Sequence, residues 1–146
     1  MDTQPMEILL VEDNEDDIVL EREALAEAKL INLMSVVRDG VEAMAFLRRE
    51  GQYQNAQTPG LILLDINMPK KNGFEVLNEI KAEPALMHIP VVMLTTSDNE
   101  ADIVKSYAKG ACSYITKPMD FDKFREVIKQ FALYWALVAR IPAHAR

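Results

Sequence analysis

Short apolar runs alternate along this chain with segments whose apolar residues recur at helical spacing. Residues 8–11 (ILLV), 34–37 (MSVV), 61–64 (LILL), 91–94 (VVML) and 112–115 (CSYI) are short and aliphatic or mixed apolar, as strands are. Between and beyond them, Ile18, Leu25 and Ala28 fall on one helical face, as do Val41, Met44 and Ala45, then Phe74, Leu77 and Ile80, then Val104, Tyr107 and Ala108. The predicted order is (βα)5. Strands apolar throughout are buried on both faces, which for alternating elements means an α/β, doubly wound, five-stranded parallel sheet with helices on either side. Punctuation agrees. Pro90 precedes the fourth strand, Gly73 and Gly110 allow turns, and Ser97 with Glu100 has capping-box spacing at the start of the fourth helix. Residues 50–60 read as an enlarged loop. The final segment, FDKFREVIKQFALYWALVARIP, predicts an extended C-terminal helix.

In such sheets sites form beyond the carboxyl ends of the strands, and reactive residues stand there. Glu12 and Asp13 follow strand 1, Asp65 follows strand 3 with Asn67 two residues on, Thr95, Thr96 and Ser97 follow strand 4, and Thr116 and Lys117 end strand 5. Three carboxylates at close quarters raise one another's pKa unless a cation compensates. Oxygen donors without His or Cys favour Mg²⁺. Lys117 adds a fixed positive charge and Thr95 a hydroxyl donor, so the rim can hold a phosphoryl group with Asp65 placed to attack it. The other acids read differently: Glu15, Asp16 and Asp17 are expected to complement the first helix's dipole. Thr96 and Ser97 read as loop or cap residues, and His88 and His144 as solvent or loop residues.

Composition narrows the function. The chain has 146 residues, 49% of them hydrophobic, enough for one domain with a real core. We expect a single domain over 1–146, with its core at about 7–128 and a helical extension at about 129–141. With 16 basic and 23 acidic residues and a formal charge of −7, its surface repels phosphate backbones and anionic lipid. Direct nucleic-acid binding is not expected. No run approaches the ~18 apolar residues of a membrane span, and no basic region precedes the N-terminal apolar run, so a cytoplasmic protein is expected. The single Cys112 excludes an internal disulfide and a multi-cysteine metal site; it is expected as a small buried apolar residue.

Four motifs in order, LLVEDN, LILLDINMP, VVMLTTS and SYITKP, resemble those of the response-regulator receiver domains of two-component signalling, over about residues 7–128. The resemblance implies a flavodoxin-like fold with strand order 2-1-3-4-5. It implies that Asp65 accepts a phosphoryl group from a histidine kinase, that Asp13, Asp65 and the main-chain carbonyl of Asn67 bind Mg²⁺ with Glu12 acting through water, and that Lys117 and Thr95 hold the phosphoryl oxygens. Thr95 and Tyr114 would be the switch residues that alter the surface of helix 4, strand 5 and helix 5. Lys71 and Asn72 in MPKKNG, and Met119 after KP, depart from the common pattern. The PKKNG loop, the lengthened QYQNAQTP segment and the long last helix resemble the single-domain regulators paired with bacterial and cyanobacterial phytochromes, so a phytochrome kinase is the expected partner.

A helix of ~20 residues is ~30 Å long, more than a small sheet buries. Tyr134, Trp135, Leu137 and Val138 are therefore expected to form a homodimer surface. The chain end at Arg146 leaves no room for an output domain, so output is expected through an unknown downstream protein, or the protein is a phosphate shuttle or sink. A phosphorylation-independent interaction module is the alternative. A switch that gains and loses its own phosphoryl group is expected here, and a turnover enzyme is not. An aspartyl phosphatase of the haloacid dehalogenase type needs a second Asp where Asn67 stands, and a flavodoxin needs a phosphate cradle where Glu12 and Asp13 stand.

Overall fold

A computed structural model describes residues 6–28, 31–96, 99–117 and 120–139. Five strands, β1 (Met6–Val11), β2 (Ile31–Val37), β3 (Leu61–Asp65), β4 (Val91–Thr95) and β5 (Ser113–Thr116), alternate with five helices, α1 (Glu15–Ala28), α2 (Gly40–Arg48), α3 (Gly73–Ala82), α4 (Glu100–Ala108) and α5 (Phe121–Ala139). All pairings are parallel. The strand order is β2-β1-β3-β4-β5, as the resemblance implied. β1, followed by β3 on one side and β2 on the other, makes a topological switch point, and Val11 is in register with both Val37 and Leu64. The carboxyl ends of the central strands therefore finish level.

Alternate residues of each strand feed opposite faces of the sheet. Leu9, Val11, Ile62, Leu64, Val91 and Met93 pack with Met44, Phe46 and Leu47 of α2 and Phe74, Leu77 and Ile80 of α3. Ile8, Leu10, Leu61, Leu63, Val92, Leu94 and Ile115 pack with Ile18 and Leu25 of α1 and Phe124 and Ile128 of α5. β3 is buried along its whole length, which is why it lacks any polar alternation until Asp65.

Several expectations are corrected. β2 begins at Ile31, three residues early, and β5 begins at Ser113. Cys112 is exposed: it precedes β5, and its N–H donates to the Val91 carbonyl (2.8 Å). Val41 is 52% exposed because Asp39 caps α2 and accepts from the Glu42 N–H, a helix start that turns Ala43, Met44, Phe46 and Leu47 inward. The face predicted for α4 is also turned out, with Val104 60% and Tyr107 50% exposed, and Ser106 is buried instead. The N-cap of α4 is Asn99, whose side chain accepts from the Ala101 N–H; Ser97 lies outside the described residues. Gly73 is not a turn glycine but a contact glycine: an added Cβ would stand 2.4 Å from the Asp65 carbonyl oxygen. Gly110 does need its glycine, at φ +102. The enlarged loop holds one 3₁₀ turn, Gly51–Tyr53. From it the Tyr53 ring meets Phe46 with centroids 5.2 Å apart.

Candidate functional site

β1 leaves the sheet at Val11, and the Glu12 N–H still donates to the Val37 carbonyl (3.0 Å), so Glu12 points down into the structure and is fully buried. Asp13 follows in the open. The Asn14 side chain then accepts from the Asp17 N–H (3.0 Å) and starts α1 as an N-cap does. At the end of β3, Asp65 is 5% exposed, with the Asn67 N–H donating to its Oδ1 (3.3 Å). Carboxylate oxygens of Glu12, Asp13 and Asp65 lie within 4.8 Å of one another. Lys117, carried in by β5 and held by its N–H on the Thr95 carbonyl (2.7 Å), completes the arrangement. Its Nζ lies 2.5 Å from Glu12, 2.9 Å from Asp17 and 3.8 Å from Asp65.

Together these groups line a polar hollow of about 490 Å³, with Asn14, Glu15, Asn67 and Thr96 on its walls. Thr95 itself is fully buried at the end of β4. Tyr114, half-buried on β5, packs against the α2–α3 side of the core. Pro118 and Met119 lie outside the described residues, as does the side-chain surroundings of Tyr134, Trp135, Leu137 and Val138.

Electrostatics follow from crowding carboxylates in a partly dry place. Burial, then the charge of Glu12, push the Asp65 carboxyl up to about 7 against the opposing influence of Lys117 and the Asn67 N–H. Burial opposes the charge on Lys117, but its hydrogen bonds to Glu12 and Asp17 outweigh that and raise its pKa. One further acid stands behind the site. Glu21, on the inward face of α1, is 1% exposed, and neither carboxylate oxygen has a hydrogen-bond partner among the described residues. Burial and then the nearby charge of Glu12 push it up to about 9, so it is held as the neutral acid at neutral pH.

Sequence reasoning located Glu12, Asp13, Asp65, Asn67 and Lys117 on one rim, and the fold brings them together. It assigned Asp17 only to the helix dipole, whereas Asp17 bonds Lys117 across 100 residues of chain. It passed over Glu21 entirely. The available signal was spacing: Glu21 falls three residues after Ile18 and four before Leu25, on the face predicted to be buried.

A profile of the response regulator receiver domain matches residues 8–129. The chain belongs to this family. Among receivers it is 43% identical to the response regulator Rcp1 of Synechocystis over 139 residues, 95% of both chains. The crystal structure of the phosphorylated cyanobacterial phytochrome response regulator RcpA superposes with a TM-score of 0.80 at 48% identity, covering 96% of this receiver and all of that chain. The Mn²⁺-bound form of Rcp1 superposes with a TM-score of 0.77 at 44% identity, covering 95% of this receiver and all of that chain. As a receiver, the protein takes its phosphoryl group from a histidine kinase.

Proposed function

We propose that Asp65 is the phosphoacceptor of a switch that signals through changed protein–protein contacts. The observation that carries this is the position of Asp65, sunk at a strand end between an acid pair and the ammonium of Lys117. An Asp65 carboxylate oxygen forms the new O–P bond as the P–N bond of a phosphohistidine breaks, and the imidazole nitrogen keeps the electron pair and takes up a proton. The product is an acyl phosphate. The protein's contribution is alignment and neutralisation of charge.

The donor set fits a hard divalent cation: three carboxylates converge, no His or Cys is among them, and the excess negative charge calls for a positive one. Asp13, Asp65 and the main-chain carbonyl of Asn67 would hold Mg²⁺, with Glu12 reaching it through water. When bound, the ion screens the acids and the phosphoryl oxygens. The Mn²⁺-bound form of the Rcp1 relative supports a divalent cation here. Lys117 neutralises the phosphoryl group from the opposite wall. The Thr95 hydroxyl and the Tyr114 ring act as the switch, the hydroxyl moving toward the acyl phosphate and the ring turning inward, which alters the α4–β5–α5 surface.

The kinase is of the phytochrome type, a proposal supported by the near full-length similarity to RcpA and Rcp1. A homodimer forms through the far end of α5. Its support is the length of α5, 19 residues, and Leu133, 68% exposed on it immediately before the apolar residues Tyr134, Trp135, Leu137 and Val138. Output passes to a downstream protein, and the chain works in the cytoplasm. Among the described residues no helix is long and apolar enough to cross a membrane. The switch is not a turnover enzyme: one phosphoryl group enters and leaves per cycle.

The test is the mass of the intact protein after incubation with acetyl phosphate and Mg²⁺. A single acid-stable, base-labile phosphoryl adduct is expected for the wild type and none for Asp65→Asn. A folded wild type that takes up nothing from acetyl phosphate or from any histidine kinase would leave only a phosphorylation-independent binding module.

A further inference from the structure

We infer that Asp17 is a positioning residue for phosphoryl transfer, holding the Lys117 ammonium at a second point so that it stands ready on the wall facing Asp65. The inference rests on Asp65 being the phosphoacceptor. Three acids open α1, and the fold treats them differently. Glu15 turns outward to bond Arg38 at the end of β2, Asp16 is exposed, and Asp17 is drawn in to Lys117 at 2.9 Å. Its place is not accidental to a loose helix end. Asn14 pins this first turn twice, accepting from the Asp17 N–H with its side chain and from the Ile18 N–H with its carbonyl, both at 3.0 Å.

An ammonium on a four-carbon stem has three donors and swings easily. Glu12 takes one donor from the buried side and Asp17 a second from α1. The third is left for the side where Asp65 stands 3.8 Å away. With Glu12 as its sole anchor the ammonium could pivot about that one bond. Two anchors set its position before the phosphoryl group arrives, which is what makes a fixed charge effective at the moment of transfer. In the step itself, an Asp65 oxygen bonds to phosphorus as the P–O bond of acetyl phosphate breaks and acetate leaves with the electron pair. Lys117 gains and loses no proton.

The experiment compares phosphoryl uptake from acetyl phosphate by the full chain as wild type, Asp17→Asn, Asp17→Glu and Asp16→Asn, across a Mg²⁺ titration, with thermal unfolding of each. Asp16→Asn removes the same charge from the same turn without touching Lys117. Asp17→Asn is expected to lower the maximal rate at saturating Mg²⁺ by about tenfold, while Asp16→Asn stays close to wild type and Asp17→Glu regains most of the loss. All four should unfold at similar temperatures. Equal behaviour of Asp17→Asn and Asp16→Asn would overturn the inference, because charge alone would then account for it. So would a change confined to the Mg²⁺ half-saturation point, or an Asp17→Asn variant faster than wild type. Absence of uptake by the wild type is a different failure: it removes the phosphoacceptor assignment, and this inference with it.

Discussion

At the scale of single residues, the site is built from charges that the fold keeps partly out of water. Glu21 is the extreme case, buried without a hydrogen-bond partner among the described residues. Its folded pKa is raised from 4.5 to about 9, so the folded state binds a proton that the unfolded state has released. Stability from this group is full below pH 4.5 and is lost as pH rises toward 9. Asp65 acts in the same sense, from 3.8 to about 7. Metal-free protein is therefore expected to melt at progressively lower temperature as pH rises from 4.5 to about 9. Glu21→Met, which fills the same volume without a buried unpaired acid, should flatten the upper part of that curve and stabilise by about 1–2 kcal/mol at alkaline pH. Melting curves in a chelator at several pH values would decide it, and an unchanged slope in the variant would assign the pH dependence elsewhere. Gly73 is the second sensitive position. A methyl group there would meet the backbone of Asp65 itself, so Gly73→Ala should destabilise by about 1–3 kcal/mol in urea unfolding and impair phosphoryl uptake as well.

At the scale of elements, the loop between β3 and α3 shows why the departures in MPKKNG are tolerated. Asn72 caps α3 and accepts from the Glu75 N–H, while Glu75 accepts from the Asn72 N–H in return, a complete capping box. Lys71 bonds Glu79 on α3, and Arg48 of α2 bonds both Glu79 (3.3 Å) and Glu83 (2.5 Å). Lys70, at φ +67, pairs with Asp39 at 3.4 Å. The Lys71 backbone lies so near Gly40 that an added Cβ would stand 2.3 Å from its carbonyl oxygen. The loop after Asp65 is thus fastened to α2 and α3. Asn72→Ala should cost about 1 kcal/mol as a lost cap, and Lys71→Ala less, because half-exposed ion pairs contribute little. Ranking the two by urea midpoint checks the order; a larger loss from Lys71→Ala would mean that the ion cluster, not the cap, secures the loop.

At the scale of the whole molecule, metal and proton are linked. As a ligand of the proposed Mg²⁺, Asp65 must be ionised, and its pKa is held at about 7, so Mg²⁺ affinity should rise with pH through that value and each ion bound should release protons. Isothermal titration in buffers of different ionisation enthalpy measures this directly, and Mg²⁺ should raise the melting temperature by ligand linkage. If Asp13→Asn kept full Mg²⁺ stabilisation, the metal would not sit among these acids. Assembly is tested separately. Trp135→Glu should shift the full chain to monomer in size-exclusion chromatography without lowering phosphoryl uptake, and an unchanged elution volume would exclude the α5 surface.

Hydrophobic pattern alone carried the sheet, the helix count and the rim on which Glu12, Asp13, Asp65 and Lys117 meet. Strands buried on both faces leave an unmistakable apolar run, and a parallel sheet delivers its strand ends to one side. Pattern failed where a helix has few core contacts or a cap sets its phase. α4 has Ser106 buried and Val104 and Tyr107 outside, and α2 has Val41 outside because Asp39 fixes where the helix begins. Composition likewise placed Cys112 inside, whereas its backbone position ahead of β5 leaves it exposed. The pairing of Asp17 with Lys117, the burial of Glu21 and the contact of Gly73 with Asp65 belong to the tertiary structure alone. Each depends on the distance between segments remote in sequence, and a charge read along one segment cannot reveal which other segment will come to meet it.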